Sequence, residues 1–269
     1  MTLLDLPTDA PTPRLSVVLT GLSAAVLVVC LAAGVVDTRL LDGVPVWAKP
    51  NKFAASFVVL FATIAWLETR LSPDWRNGWI LSTTISVMGV CMVAEMGYIM
   101  YQAGRAEASH FNLSTPFNEF MYTVVMFLGA LALIFAIAVY GFAAARDKDA
   151  DLTPGLRWGV VLGFGLSCLL TFVVAGYLGG NGSHFVGTPS PEAATLPLFG
   201  WSAEVGDLRP AHFLSLHAMQ ALPLLGWFLD RRWPKSARIG TALGAAAYTA
   251  ATLGIFAQAL AGYPLIALS

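Results

Sequence analysis

The side chains in this sequence that are best placed to carry out chemistry are Glu95, His110 and His217. Each of them lies in or beside a long apolar run. An ionisable side chain in hydrocarbon costs at least about 2.5–3.5 kcal/mol on insertion scales, so it marks a functional position by default. Histidine is the commonest metal ligand among side chains, and a positioned carboxyl is a general acid or base. We therefore expect His217 to be a cofactor ligand and Glu95 to carry protons.

Further polar residues recur at the same predicted depth and extend the site. The candidates for catalysis are Glu95, Glu119 and Tyr98. The candidates for metal ligation are His217, His110 and His212. The candidates for binding a larger cofactor are His110, His217, Lys52, Arg105 and Arg209, of which the three cations would pair with carboxylates such as haem propionates. The residues expected to line a substrate cavity are Gln102, Asn118, Tyr122, Gln220, Gln258 and Asn51.

Haem b or a transition metal is the cofactor that these residues favour. Haem b needs no sequence motif, since one or two histidines from facing helices suffice. The signals for a non-haem metal are weaker, because His212 and His217 are five residues apart, whereas a zincin-like helix spaces its ligands by four. Glu107 and His110 match the Glu-x-x-His pattern of di-iron bundles, but this pattern occurs once where two copies are expected.

The elements that position these residues are membrane-spanning helices, because the chain is 57% hydrophobic and only 12% charged. Soluble domains carry roughly 25% charged residues. The expected partners are therefore membrane lipids and a lipophilic small molecule such as a quinone. A net charge of −1 excludes a strongly basic nucleic-acid binder. The 11 Arg against 4 Lys favour a bacterium with a GC-rich genome, and hence the bacterial cytoplasmic (inner) membrane.

Seven apolar segments are long enough to cross a bilayer as helices. The predicted spans are residues 15–36, 52–68, 78–102, 118–143, 155–178, 211–229 and 239–262. Thr115-Pro116 and Thr153-Pro154 each place a capping hydroxyl before a proline, which is typical of a helix start. We therefore predict an all-α integral membrane protein, a bundle of seven transmembrane helices over residues 15–262, with short tails at 1–14 and 263–269.

The orientation follows from the basic residues of the loops, which concentrate on the cytoplasmic side of membrane proteins. The N-terminal tail and the loops 69–77, 144–157 and 230–238 together hold ten Lys and Arg, against five on the other side. This predicts a cytoplasmic N-terminus and an exoplasmic C-terminus. All four lysines fall near predicted helix ends, so none is available for a retinal Schiff base in mid-membrane.

Depth places the candidate site in the exoplasmic half of the membrane. Glu95 lies roughly 24 Å along its helix from Trp79, within a hydrocarbon core about 30 Å thick. His217 lies roughly 10 Å below the outer interface, and His110 is in the exoplasmic loop 105–117. We therefore predict that Glu95, His110 and His217 line one connected cavity. The long exoplasmic loop 179–210 would pack over it as a lid, and disorder of this loop is the alternative.

Three classes of function stay open from the sequence. A haem- or metal-binding redox protein that acts on a quinone-like substrate is favoured, which makes oxidoreductase the preferred enzyme class. A metal-dependent lipid hydrolase is the second, since the helix count, Ser109-His110 and the late histidine pair are similar to seven-helix lipid hydrolases of the ceramidase and adiponectin-receptor type. The five-residue histidine spacing departs from their zinc pattern. The third class is a transporter or receptor that uses the same polar site.

Overall fold

The computed structural model of the chain describes residues 14–190 and 192–268. The structure is 71% helical, which confirms the all-α class. The predicted N-terminal tail of residues 1–14 lies outside the described residues apart from Arg14.

Every predicted span lies largely within a helix, and most helices are longer than predicted. The helices are α1 (Leu15–Val36), α2 (Ala48–Arg70), α3 (Pro73–Arg76), α4 (Trp79–Gly104), α5 (Pro116–Phe120), α6 (Phe127–Arg146), α7 (Pro154–Gly180), α8 (Arg209–Arg232) and α9 (Ala237–Leu260). A π-helical turn, Met121–Met126, joins α5 to α6, so that Pro116–Arg146 is one helical segment. Such wider turns are rare in proteins, and many of those that occur lie at functional sites.

Six helical segments of the described chain are long and apolar enough to cross a membrane, which makes this an integral membrane protein by length and composition. They are Leu15–Val36, Ala48–Arg70, Trp79–Gly104, Pro116–Arg146, Pro154–Gly180 and Ala237–Leu260. The helix α8 is not among them, because two histidines, a glutamine and charged residues at both ends lower its mean hydropathy. The predicted count of seven spans therefore depends on α8.

Two short antiparallel ladders were not foreseen from the sequence. In the first, β1 (Leu40–Leu41) pairs with β2 (Val44–Pro45) around Asp42 and Gly43, both of which have positive φ (51° and 76°). Two such residues form the tight turn that matches the twist of a hairpin. In the second, β3 (Phe185–Val186) pairs with β4 (Gly206–Asp207) inside the long loop before α8.

The chain divides into two compact units at a boundary inside α6. Unit 1 comprises the residues up to 136 together with 149–151, and unit 2 comprises 137–148 and the residues from 152 onward. In unit 1, α1, α2 and α4 pack together, and α4 also contacts the π-helical turn. Phe61, Ile64 and Met88 are fully buried in this unit. The packing fixes which face of α4 is enclosed.

In unit 2, α7, α8 and α9 pack together, and glycines bring α7 close to α8. A Cβ on Gly163 would lie 2.7 Å from the carbonyl oxygen of Ala218, so only glycine permits this approach. The Asp230 carboxylate of α8 accepts hydrogen bonds from the backbone N–H groups of Gly155 (2.8 Å) and Leu156 (2.7 Å). Asp230 thereby satisfies donors at the start of α7 that have no partner within the helix. These contacts fix α8, the helix that carries His212 and His217.

Candidate functional site

Glu95 places a buried carboxyl on α4, and one of its oxygens accepts no hydrogen bond from the described residues. The residue is 5% exposed, and its Oε1 has no hydrogen-bond partner among the described residues. Gly129 of α6 lies beside it, since a Cβ on Gly129 would be 2.7 Å from Oε1. Glu68 is equally buried, but its Oε2 accepts a hydrogen bond from Ser16 Oγ at 2.5 Å. The two glutamates therefore differ in partners and not in burial.

Between Glu95 and the C-terminal end of α4, one face of this helix carries a network of buried polar side chains. The Tyr98 hydroxyl donates to Asn118 Oδ1 at 3.3 Å, and Gln102 Nε2 donates to the same oxygen at 3.1 Å. Gln102 Nε2 also donates to the carbonyl oxygen of Ala108 at 3.1 Å. Tyr98, Gln102 and Asn118 are all buried. The structure thus joins one predicted catalytic residue to two predicted cavity residues.

The same network continues to the surface through the turn before α5. Asn118 Nδ2 donates to Ser114 Oγ at 3.2 Å, and Ser114 Oγ donates to Asn112 Oδ1 at 2.6 Å. Thr115 caps α5, because its hydroxyl oxygen accepts a hydrogen bond from the backbone N–H of Asn118 at 3.2 Å. Ser114 is exposed, whereas Asn118 is buried. A run of polar groups therefore leads from Tyr98 to an exposed hydroxyl.

His110 lies between aromatic rings beside this turn. Its ring centroid is 5.4 Å from that of Phe53 and 5.9 Å from that of Tyr122. Its Nδ1 is 3.1 Å from Ser109 Oγ. Burial, and secondarily the charge of Lys49, lowers the pKa of His110 to about 3. The imidazole is therefore neutral at physiological pH, which is the form that binds a metal or accepts a proton.

Four other predicted residues of unit 1 take no part in the hydrogen bonds just described. Glu119 and Lys52 are exposed. Arg105 is exposed and forms an ion pair with Glu107 at 2.7 Å, and the hydrogen bonds from its guanidinium hold the pKa of Glu107 below the usual value. Asn51 keeps a buried Oδ1 without a partner among the described residues. The roles predicted for these four residues stay predictions.

In unit 2, His217 is held in one tautomer by its own helix. Its Nδ1 lies 3.1 Å from Gln220 Oε1, and since an amide oxygen only accepts, Nδ1 carries the proton. Nε2 then keeps its lone pair. Histidine ligands of metals almost always donate their other ring N–H to such an acceptor. His217 therefore has the form that a ligand requires.

The other histidine of α8 also presents a nitrogen. His212 Nδ1 is buried and has no hydrogen-bond partner within the part of the chain that the structure describes. The predicted pair His212 and His217 thus offers two imidazoles on one helix. Among the described residues, however, no group of three or more His, Cys, Asp and Glu side chains gathers as a metal site.

The long loop before α8 packs aromatic rings toward His217. Phe199 and Trp201 stack with ring centroids 4.5 Å apart, and their centroids lie 5.4 Å and 5.9 Å from that of Phe213. The Phe213 ring in turn lies 4.2 Å from the His217 ring. The described part of the loop therefore packs on α8, and a lid over a connected cavity stays a prediction. Phe213 was missed from the sequence, although its position one turn before His217 is a usable signal.

Arg209 holds this loop in place. Its guanidinium forms an ion pair with the buried carboxylate of Asp207 at 2.6 Å and donates to the carbonyl oxygen of Gly200 at 2.8 Å. It also lies over the Phe185 ring, 5.3 Å from the centroid. If Arg209 also bound a cofactor, as predicted, its guanidinium would have to make that contact in addition to those with Asp207, Gly200 and Phe185.

Gln258 and His184 lie near the ends of the chain and of the loop, respectively. Gln258 Nε2 donates to the carbonyl oxygen of Pro264 at 2.5 Å, so its amide holds the C-terminal segment. The carbonyl oxygen of His184 accepts a hydrogen bond from Leu208 N at 2.9 Å, and its ring lies 4.0 Å from Phe185. His184, which was not predicted as a ligand, therefore has a place in the loop's own fold.

The predicted residues thus form two groups, one in each unit. Glu95 and His110 belong to unit 1, and His212 and His217 belong to unit 2. A single cavity that joins them stays a prediction. Comparisons with protein families, with curated proteins and with solved structures find no match to this chain.

Proposed function

We propose that this protein is a redox protein of the bacterial cytoplasmic membrane that binds haem b or a transition metal at His217 and acts on a quinone-like substrate. The carrying observation is the hydrogen bond from His217 Nδ1 to Gln220 Oε1, which leaves the Nε2 lone pair for a ligand bond. Haem or a metal bound there would supply one-electron chemistry. Gln220 would orient the imidazole, and the rings of Phe199, Trp201 and Phe213 would exclude water from it.

The arrangement in the membrane is part of the proposal. We take α8 as a seventh span, because its 24 residues measure about 36 Å, longer than a hydrocarbon core of about 30 Å. With seven spans, the ten basic residues of one side place the N-terminus in the cytoplasm and the C-terminus outside. The site at His217 then opens toward the exoplasmic face. Lipids surround the helices, and a quinone reaches the site from the bilayer.

The purified protein tests this proposal directly. Its absorption spectrum and metal content in mild detergent are expected to show stoichiometric haem or transition metal. His217→Ala is expected to lose that cofactor, because it removes the imidazole. His184→Ala is the matched control. Because His184 lies in the loop, this variant is expected to retain the cofactor. Equal cofactor content in His217→Ala and wild type would contradict the proposal.

A proton-coupled transporter is the second candidate, and the unpartnered Oε1 of Glu95 favours it. In such a protein the carboxyl and the polar network from Tyr98 to Ser114 would bind a solute or a proton without chemistry. Purified protein that lacks both haem and metal, yet moves protons in liposomes, would favour this candidate over the redox protein. A metal-dependent lipid hydrolase, like a non-haem transition metal in the redox proposal, would need another ligand beside His212 and His217, and the described residues place no third His, Cys, Asp or Glu in such a group.

A further inference from the structure

The buried carboxyl of Glu95 poses a separate physical problem. An unpaired carboxylate in a low-dielectric interior costs several kcal/mol, so it needs a cation, a hydrogen-bond donor or a proton. The described ion pairs do not include Glu95, and its Oε1 has no donor among the described residues. A proton on the carboxyl removes this cost and converts an acceptor-only group into a donor.

The packing around Glu95 leaves its carboxyl room rather than a partner. Gly129 provides this room, since any side chain there would overlap Oε1. Gly129 follows the π-helical turn Met121–Met126 by three residues, and Met121–Met126 packs against α4. Among the described residues, Cys91, one turn earlier on α4, and Tyr98 are titratable groups near Glu95. Neither of them carries a positive charge.

A run of hydrogen-bonded polar groups begins one turn beyond Glu95 and leads to water. Tyr98 lies one turn beyond Glu95 on the same face of α4. The hydrogen bonds from Tyr98 to Asn118 and from Asn118 to Ser114 lead to the exposed hydroxyl of Ser114. On the opposite side of Glu95, α4 carries the fully buried apolar side chains of Met88 and Met92. The polar access is therefore from the Ser114 side.

We infer that Glu95 is a reversible proton-binding site, that its carboxyl exchanges its proton with water on the Ser114 side, and that Gly129 is the residue that positions the carboxyl. This inference goes beyond the proposed function. It stands on unit 1 alone and uses no cofactor. The inference also assigns a role to the π-helical turn, which directly precedes α6 and so helps to set the side of α6 on which Gly129 meets Glu95.

Labelling with dicyclohexylcarbodiimide tests the inference on the whole protein. This reagent adds to the protonated form of a buried carboxyl, so mass spectrometry of the Glu95 peptide reports the bound proton. We expect Glu95 to be labelled, and the labelling rate to fall about tenfold per pH unit above its titration midpoint, because the carboxylate does not react. Glu68, which is equally buried but accepts a hydrogen bond from Ser16, is the internal control and is expected to be labelled more slowly than Glu95.

Two variants separate positioning from simple burial. Gly129→Ala is expected to reduce labelling of Glu95, because the new methyl group displaces the carboxyl. Gly97→Ala, on the same helix as Glu95 but with no atom within 4 Å of its Cβ position, is expected to leave labelling unchanged. If Gly129→Ala does not fold, infrared spectroscopy replaces that variant. Wild type is then expected to show the carbonyl band of a protonated carboxyl, and Glu95→Gln is expected to lack it.

The outcomes are distinct from those that test the cofactor. Failure to label Glu95 in folded protein, or labelling and an infrared band that do not change with pH, would overturn the inference. A cofactor retained in Glu95→Gln would then leave the redox proposal standing. Conversely, pH-dependent labelling in a protein without haem or metal would support the proton site and refute the redox proposal.

Discussion

Gly129 of α6 packs directly against the Glu95 carboxyl of α4. A Cβ on Gly129 would lie 2.7 Å from Oε1 and 3.6 Å from the carboxyl carbon. Carbon atoms in proteins pack best at about 3.5–4.0 Å, so the shorter distance is a steric overlap. Gly97 of α4 has no atom within 4 Å of the same built position. The same substitution at the two glycines therefore isolates the contact with Glu95.

Gly129→Ala is expected to lower the free energy of unfolding by less than about 1 kcal/mol relative to Gly97→Ala, because the overlapping Oε1 is the flexible end of the Glu95 side chain and can shift. Gly97→Ala is expected to be neutral or slightly stabilising, because alanine favours a helix over glycine by up to about 1 kcal/mol. Thermal unfolding in detergent measures both. In a Glu95→Ala background the cost at Gly129 is expected to disappear. An equal cost in that background would show that the overlap with Glu95 is not its cause.

The low pKa of His110, about 3, makes stability depend on pH in a defined direction. The unfolded imidazole has a pKa near 6.5, so between about pH 6.5 and 3 the unfolded chain binds the additional proton. Stability is therefore expected to fall as the pH is lowered through this window. Between pH 7 and pH 5 the loss from this residue is up to about 2 kcal/mol. Thermal unfolding midpoints at the two pH values measure it.

His110→Gln removes this titrating group and is expected to reduce the loss of stability between pH 7 and pH 5 by the share assigned to His110, up to about 2 kcal/mol. His184→Gln is the control, because His184 lies in the loop 179–210 and outside the ring contacts of His110. A difference between pH 7 and pH 5 that is the same in wild type and His110→Gln would contradict the assignment.

The ion pair between Arg209 and Asp207 is expected to keep the long loop closed over α8. Removing the partly exposed cation leaves the buried Asp207 carboxylate with fewer partners, which costs about 1–2 kcal/mol and corresponds to a roughly five- to thirtyfold larger open population. Arg209→Gln is therefore expected to speed proteolysis of residues 179–210 by about that factor, since cleavage tracks the open form. Glu192→Gln, an exposed change in the same loop, is expected to have little effect. Equal cleavage rates in the two variants would remove Arg209 from this role.

Labelling of single cysteines tests whether α8 crosses the membrane. Ser183 and Ser236 flank α8, so they face opposite sides if it spans and the same side if it does not. In a background without Cys30, Cys91 and Cys168, we expect an impermeant maleimide to label Ser183→Cys in intact cells. Ser236→Cys is expected to label only after permeabilisation. Labelling of both from outside would leave six spans, and the reverse pattern would invert the orientation.

The long helices could be predicted from the sequence because hydrocarbon requires apolar segments of about 20 residues. The start of α5 was also predictable, since Thr115 and Pro116 form a local cap whose bond to Asn118 is present. Asp42 and Gly43 were a usable signal for the first hairpin that sequence reasoning passed over. The candidate residues on α4 share a face because they recur at helical spacing, and Tyr98 and Gln102 do meet Asn118.

The remaining features depend on contacts between distant segments. The π-helical turn at Met121–Met126 has no local sequence signature, and Gly129 becomes informative only when Glu95 lies against it. Arg209 was expected to bind a cofactor from its charge and depth alone, yet its guanidinium pairs with Asp207, which forms part of the loop. Side-chain type and depth therefore select candidates, and tertiary packing decides which partners they have.

Anaerobic mixing of the oxidised protein with a short-chain quinol tests the central claim most directly. If His217 binds a redox cofactor that exchanges electrons with a quinone, the cofactor's absorption is expected to change to that of the reduced form on mixing. His217→Ala is expected to show no such change, and His184→Ala is expected to behave like wild type. A spectrum that stays the same on mixing, in protein whose cofactor is reduced by dithionite, would contradict the claim that a quinone is the substrate class. Protein with no reducible cofactor would contradict the redox function itself.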